Sequence, residues 1–378
     1  MSRRKVLFIL PSLRKGGAER VVSLLLNAWN GNKTTCHLML TDDDTITYDI
    51  PENVHTTVLS HHPKNGLQKL MLLPFNAYKI AKYAHENDID TIVSFLYRPN
   101  YSAVMSRLFG FKGKIIINIR STTSRYLQEG LLGKVNLFLI RKLFNKADLI
   151  ISNSRGVKHD LETLMPIKTR HIAIPNPVDL ATIDRLKNDA RDIAFIPQRD
   201  TKYIISVGRL IPLKRHKDLI DAFALIHTKL PNTRLLLLGN GILKEALVSH
   251  AKASGIDNKI DFLGNVDNPF YYLHRSDLFV MTSEIEGFPN VLVEAMACGK
   301  AVISSNCKSG PGEILDNGKY GLLYEVGDVK TLSGHIEALM QDDETRKRYE
   351  KLAKERVREY DISKVLSQFE KEVFNEET

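Results

Sequence analysis

Two carboxylates and two cations are the residues of this chain best placed to do chemistry. Glu286 and Glu294 stand eight positions apart within 281–314, MTSEIEGFPNVLVEAMACGKAVISSNCKSGPGEI. A helix beginning after Gly287 carries Glu294 about two turns along, so one acid sits at the helix mouth and the other deeper on its face. On one reading, Glu286 favours the helix N-terminus through the macrodipole and Glu294 is a solvated helix position. The apolar setting VLVEAMA instead makes Glu294 half-buried, and a half-buried acid needs a protein or ligand partner. Upstream, in YIISVGRLIPLKRHKDLIDAF, Arg209 and Lys214 occupy the loop before an amphipathic helix. A guanidinium fork, an ammonium and a helix N-terminus describe an anion site; the competing reading is a solvated basic loop.

The elements that must position these groups alternate between strands and helices. Short apolar runs such as KVLFIL, TIVSFLY, KIIINIR, DLIISNS, YIISVG, TRLLLL and DLFVM are separated by helical stretches. That alternation predicts α/β architecture with parallel, doubly wound sheets. Ligands of such sheets bind beyond the carboxyl ends of the strands. Gly16-Gly17 follow the first strand, Gly239 follows TRLLLL, and Asn265-Val266 follow KIDFLG, so several strand ends are expected to converge on one crevice. The pair Gly16-Gly17 either lets backbone approach a phosphate or makes a tight turn. KIIINIR and DLIISNS deliver Arg120 and Asn153 to the same edge, where position alone makes them candidates for substrate contacts.

A chain of 378 residues exceeds one ordinary core. The expected division is 1–185, 186–360 and a C-terminal helix over 361–378 packing back toward the first domain, with the charged run 180–201 as connection. Through residue 185 there are 26 Lys and Arg against 15 Asp and Glu, a surplus of +11; the remainder, 27 against 29, is −2. A basic half suits an anionic partner, a membrane with acidic headgroups or nucleic acid. The segment PKNGLQKLMLLPFNAYKIAKYAHE, with Lys64, Lys69, Lys79 and Lys82 among apolar residues, reads either as one helix at a membrane interface or as a core helix with a solvated basic face. The opening VLFIL is too short for a signal peptide, and no run reaches the roughly 18 apolar residues of a membrane span. Cys36, Cys298 and Cys307 lack metal-ligand spacing and read as buried small hydrophobes in a reducing cytosol.

Together GGAER, VGRL with Lys214 five residues beyond Arg209, GNG, FLG, EGFPNVLVEA and GPGEIL carry a resemblance over nearly the whole length. The chain resembles the retaining, nucleotide-sugar-dependent glycosyltransferases of family 4, of GT-B architecture. That resemblance implies two Rossmann-like domains facing a central cleft. It implies that Arg209 and Lys214 hold the donor diphosphate, and that Glu286 faces the donor sugar with backbone amides from Gly287, Phe288, Pro289 and Asn290 nearby. Glu294 would accept from the ribose, Gly239, Asn265 and Val266 would line the nucleotide, and Gly16 and Gly17 would let the first domain close over the diphosphate. No metal or cofactor is implied, the nucleotide sugar being the co-substrate.

Many relatives carry a His after the fifth strand where this chain has Arg120; Arg120 is therefore expected to contact the acceptor phosphate or the donor. A narrower resemblance, in EGFPNVLVEAMA, NCKSGPGEIL and IPNPVD, is to members that build bacterial lipid-linked oligosaccharides. It implies a UDP-linked N-acetylhexosamine or hexose as donor, a lipid-linked or polysaccharide acceptor, and a cytoplasmic enzyme peripheral to the inner face of the membrane. The other function classes are a protein that traps a nucleotide sugar without turnover and a nucleic-acid binder, for which no recognised motif is present.

Overall fold

The structure, a computed structural model, describes residues 3–14, 16–29, 34–59, 65–191 and 197–374. The chain forms two compact units, one of Met1–Pro177 with Ile362–Thr378 and one of Val178–Asp361. Lys64 and residues 192–196 of the expected connection lie outside the described residues.

The first unit is built on seven parallel strands: β1 (Arg4–Leu10), β2 (Thr34–Leu40), β3 (His55–Val58), β4 (Thr91–Phe95), β5 (Lys114–Ile119), β6 (Leu149–Ser152) and β7 (His171–Ala173). Their spatial order is β3-β2-β1-β4-β5-β6-β7. Continuous apolar sequence makes these strands because both sheet faces are covered. Along β1, Val6, Phe8 and Leu10 enter one core, shared with helix α1 (Gly17–Trp29), while Leu7 and Ile9 enter the other. On that second side lie α2 (Gly66–Met71), α3 (Leu73–Glu86), α4 (Tyr97–Met105), α5 (Gly130–Leu143) and α6 (Arg155–Leu164). The segment expected as one helix over 63–86 is, from residue 65 on, two, because Pro74 stands in the first turn of α3 and a proline ring excludes the helical hydrogen bond needed to continue from α2.

The second unit opens with α7 (Leu180–Leu186), capped by the Asp179 carboxylate accepting from the Thr182 N–H at 2.9 Å. Ile183 of α7 is buried in this unit's core, so the boundary expected after residue 185 is corrected to Pro177. Six parallel strands follow: β8 (Lys202–Val207), β9 (Thr233–Leu238), β10 (Ile260–Gly264), β11 (Leu278–Met281), β12 (Ala301–Ser305) and β13 (Leu322–Tyr324). Between them run α8 (His216–Ile226), α9 (Lys244–Ala253), α10 (Pro269–Arg275), α11 (Asn290–Ala297) and α12 (Pro311–Ile314). The unit closes with α13 (Val329–Gln341) and α14 (Asp343–Val357); α15 (Ile362–Phe374) returns to the first unit. The strand order β10-β9-β8-β11-β12-β13 reverses direction between β8 and β11. That reversal is where an open α/β sheet leaves a crevice, and it is where the charged loops lie.

Candidate functional site

In the second unit, β8 ends at Val207 and the chain runs through Gly208 and Arg209 to a 3-10 turn at Pro212–Lys214. The turn is sewn to the end of β11, since the Thr282 hydroxyl donates to the Lys214 carbonyl at 2.7 Å and the Glu284 N–H to the Leu213 carbonyl at 2.9 Å. This places the Lys214 ammonium 2.5 Å from Glu286 Oε1, with both side chains largely buried. Arg209 is exposed, and its guanidinium meets no hydrogen-bond or ion-pair partner among the described residues. One cation is committed to a carboxylate and the other is open to a ligand. Residues 208, 214 and 216 sit together: a Cβ on Gly208 would lie 3.8 Å from His216 Cε1 and 3.9 Å from the Lys214 Cδ. Burial and the Lys214 charge push the His216 imidazole down to about 4, so near neutral pH it is uncharged, and its buried Nδ1 has no partner among the described residues.

Glu286 is fixed from the far side. The Ser309 hydroxyl donates to the Glu286 carbonyl at 2.5 Å, and Gly310, at φ +93°, brings its backbone against Gly287–Pro289, where any Cβ would press on Pro289. This close approach requires glycine. Phe288 turns its ring inward against Tyr360, with centroids 5.4 Å apart, and is buried. Pro289 has no N–H, which corrects the expected amide set around the sugar to Gly287, Phe288 and Asn290. Glu294 lies on α11 at 8% exposure, deeper than the half-buried position expected. Burial also pushes the neighbouring Cys307 thiol up to about 12, with the Glu286 charge adding to the rise.

The strand ends of β8, β9 and β10 do come together. Gly208 N–H donates to Leu238 O at 2.9 Å, Leu210 N–H to Asn240 O at 2.9 Å and Gly239 N–H to Gly264 O at 2.7 Å. At Gly239, φ is +126° and a Cβ would overlap the Gly208 carbonyl. This glycine serves loop-on-loop packing beside Arg209. Asn265 is exposed, and Val266 is half-buried against the core.

In the first unit Gly16 exchanges hydrogen bonds with the Tyr48 hydroxyl, at 3.2 Å from its N–H and 3.0 Å to its carbonyl, and Gly17 starts α1 in the open. Arg120 is placed otherwise than expected. Its Nη1 donates to Asn176 Oδ1 at 2.7 Å and its Nη2 to Asn118 Oδ1 at 3.1 Å, with the guanidinium carbon 4.7 Å from the Phe95 ring centroid and 5.9 Å from that of Phe369. Desolvation lowers it to about 9. Where a contact with a substrate phosphate was expected, the guanidinium is buried and turned to these protein groups, and its Nε has no partner among the described residues. Asn153 is also buried, donating to Arg120 O at 3.2 Å.

Sequence reasoning missed two features of this edge. Asp160, buried in α6, accepts from the Thr123 and Ser124 N–H groups at 2.6 and 2.9 Å and so pins the loop after β5. Leu96, directly after β4, has φ +71°, a conformation that costs a non-glycine residue on the order of 1–3 kcal/mol. The only sequence signal for Asp160 is an acid on the otherwise apolar stripe of an amphipathic helix; Leu96 has none. Among the described residues there is no group of three or more His, Cys, Asp and Glu arranged for a metal, and no helix long and apolar enough to cross a membrane.

Comparison with known proteins gives the family. Residues 15–182 match the family described as Glycosyltransferase Family 4, and residues 189–356 the family described as Glycosyl transferases group 1. A Campylobacter jejuni protein named N-acetylgalactosamine-N,N'-diacetylbacillosaminyl-diphospho-undecaprenol 4-alpha-N-acetylgalactosaminyltransferase is 38% identical over 365 residues, 96% of this chain and 97% of that one. A second protein from the same organism, an alpha-1,4-N-acetyl-D-galactosaminyltransferase acting on a diNAcBac-PP-undecaprenol-linked glycan, is 25% identical over 97% of both chains. In fold, Anabaena HepE, solved with UDP, aligns with TM-score 0.80 over 98% of this chain and 100% of its own at 21% identity. Sucrose-phosphate synthase from Thermosynechococcus elongatus aligns with TM-score 0.82 over 99% of each chain at 19% identity. With its two Rossmann-like units and this relationship along the full length, the chain belongs to the family 4 glycosyltransferases and has the GT-B fold.

Proposed function

We propose that this glycosyltransferase moves a sugar, an N-acetylhexosamine or hexose, from a UDP-linked donor to a lipid-linked glycan acceptor, with retention at the anomeric carbon and without a metal or other cofactor. The observation carrying the donor assignment is the loop between β8 and α8, which holds both an exposed Arg209 and a Lys214 paired with Glu286 at 2.5 Å. Arg209 and Lys214 receive the diphosphate, and Glu286, released from Lys214, turns to the hydroxyls of the sugar. The bond from the anomeric carbon to the phosphate oxygen breaks with its electron pair going to the leaving phosphate, which the two cations stabilise as charge develops. The acceptor hydroxyl bonds to the same carbon on the same face and passes its proton to the leaving phosphate, so Glu286 serves as a grip and not as a nucleophile.

Backbone N–H groups of Gly287, Phe288 and Asn290 add donors to sugar and phosphate at the mouth of α11. Glu294 accepts from the ribose, and Gly239, Asn265 and Val266 line the nucleotide. The lipid-linked acceptor is supported by the 38% identical relative, whose name specifies a diphospho-undecaprenol-linked substrate; an acidic membrane surface is the partner such an acceptor brings with it. The deciding experiment is a panel of UDP-, GDP-, ADP- and CDP-sugars assayed for nucleotide release with and without polyprenyl-diphosphate-linked glycans, repeated with a chelator. Release from a UDP-sugar only when acceptor is present, unchanged by chelator and yielding the same anomer by NMR, is the expected result. Release with no acceptor dependence, or from no donor, overturns it.

A further inference from the structure

Beyond the reaction, the surface of the first unit is lopsided. Of fifteen large apolar side chains left exposed among the described residues, ten lie between positions 67 and 138. They stand on α2, α3, the 3-10 turns Ser106–Phe109 and Ser124–Gln128, and α5. Several are nearly as open as a side chain can be, with Leu131 at 79% and Met71 and Leu108 at 73% exposure. Scattered exposed leucines need no explanation, but a run of this size on adjoining elements does.

The elements adjoin in space. The Tyr78 ring of α3 meets the Phe109 ring at 5.7 Å, and a Cβ on Gly66, at the start of α2, would stand 3.0 Å from Leu132 of α5. Helix α5 shows the pattern most clearly. Gly133, Asn136 and Ile140 face the core, while Leu131, Val135 and Phe138 form an outward stripe at helical spacing.

The stretch of sequence that builds this surface is basic. Residues 65–146 hold 13 Lys and Arg against 4 Asp and Glu, and of the 13 only Arg120 is buried. The sequence of α5 contains no acid, and its Lys134, Arg141 and Lys142 make no ion pair among the described residues. The Lys142 ammonium lies 5.8 Å from the Phe138 ring centroid and that of Lys79 5.4 Å from the Phe75 centroid, so cations and exposed aromatic rings share this surface.

We infer that this outer face of α2, α3 and α5, with the Ser106–Phe109 turn, seats on an anionic lipid bilayer, apolar side chains entering the acyl boundary and lysines meeting the headgroups. Nucleic acid would satisfy the charge, but it offers nothing to aliphatic side chains such as Leu131, Met71 and Leu108. A bilayer satisfies both. The inference deepens the reading of a lipid-linked acceptor and rests on it for its biological sense, but vesicle binding is measured with no sugar donor, so the two fail separately.

The test is flotation of the full chain with vesicles of equal parts phosphatidylglycerol and phosphatidylcholine, and with phosphatidylcholine alone. Enrichment on the acidic vesicles is expected. Lys134→Glu with Lys142→Glu should cut it at least about tenfold, and Leu131→Ser with Phe138→Ser should remove the part that survives high salt; Phe75→Ser with Tyr78→Ser repeats the test on α3. All six positions lie outside the transfer site, so nucleotide release toward a detergent-soluble, short-chain acceptor should match wild type. No enrichment on acidic vesicles, equal flotation on neutral ones, or variants that float as wild type overturn the inference. So does retention on DNA that these variants lose without any vesicle binding.

Discussion

Arg209 and Lys214 carry the same charge in different circumstances, and their removal should be told apart. Arg209 touches no partner among the described residues, so Arg209→Ala should leave the unfolding midpoint unchanged while removing about 2–4 kcal/mol of transition-state stabilisation, read as kcat/KM. Lys214→Ala should cost a similar amount in rate and also lower stability, because it leaves the Glu286 carboxylate largely buried without its ammonium. Restoring stability with Glu286→Gln in the Lys214→Ala background, but not rate, would complete the distinction; full rate in either single variant sinks the donor-site assignment. His216 supplies a pH signature. Its folded-state value of about 4 lies below the ordinary 6.5, so between those values the unfolded chain binds the proton and the folded one does not. Stability present above about pH 6.5 is therefore lost as pH falls toward about 4. His37 and His171 are pushed down to about 4 as well, so the test is the difference between wild type and His216→Gln, whose urea midpoint should fall less steeply from about pH 7 to about pH 5. At this scale the sequence was legible where residue type and loop position decide chemistry, as for Lys214 and Glu286, 72 positions apart in sequence and paired at 2.5 Å in the fold. It was not legible for Arg120. Asn118 and Arg120 share the strand parity of Ile116, which faces the α1 side of the sheet, and nothing before the fold reveals that Phe369, 249 residues on, covers that face.

The loops that hold these side chains depend on backbone more than on charge. Gly239 and Gly255 both have positive φ, +126° and +70°, but only Gly239 has a neighbour in the way; nothing stands within 4 Å of a Cβ on Gly255. Gly255→Ala should therefore cost about 1 kcal/mol, whereas Gly239→Ala must displace the Gly208 carbonyl and should cost about 3 kcal/mol or more. Because Gly208 leads directly to Arg209, the second change should also raise KM for the donor. Equal melting temperatures for the two variants would mean that the β8 and β9 loops are not locked as described. Strands were readable because burial on two faces leaves a continuous apolar signature, as in VLFIL of β1 and LFVM of β11. Helix breaks were less so. The pattern through 63–86 keeps its apolar period across Leu72, and only the ring of Pro74 separates α2 from α3. Similarly, the polar run after residue 180 reads as a connection, yet an Asp179 cap and one buried residue, Ile183, suffice to make it α7.

At the scale of the molecule, the chain leaves the first unit at Pro177 and re-enters it at Ile362, so the stability of that unit depends on residues at the far end of the sequence. Helix α15 buries Val365, Phe369 and Val373 in the same core as Val6, Phe8 and Trp29. The Phe374 ring lies 5.5 Å from that of Trp29. Polar contacts fasten its end: Arg170 pairs with Glu372, Lys114 donates to Glu372 O at 2.6 Å and Arg4 to Phe374 O at 2.5 Å. Three large apolar side chains at about 1.5–3 kcal/mol each amount to a large part of what keeps an ordinary domain folded. Ending the chain after Asp361 also removes Phe369, one of the two rings against Arg120, and so opens one side of a buried cation. The truncated protein should therefore lose amide-exchange protection throughout β1–β7 while β8–β13 keep theirs, since no residue of α15 belongs to the second unit. Nucleotide should still protect the second unit against heat, and sugar transfer should vanish, because the first unit is the half that the acceptor reading requires. Uniform loss of protection across both sheets would instead mean that the two units fold as one, and that α15 is a strap on the whole molecule and not a part of the first unit's core.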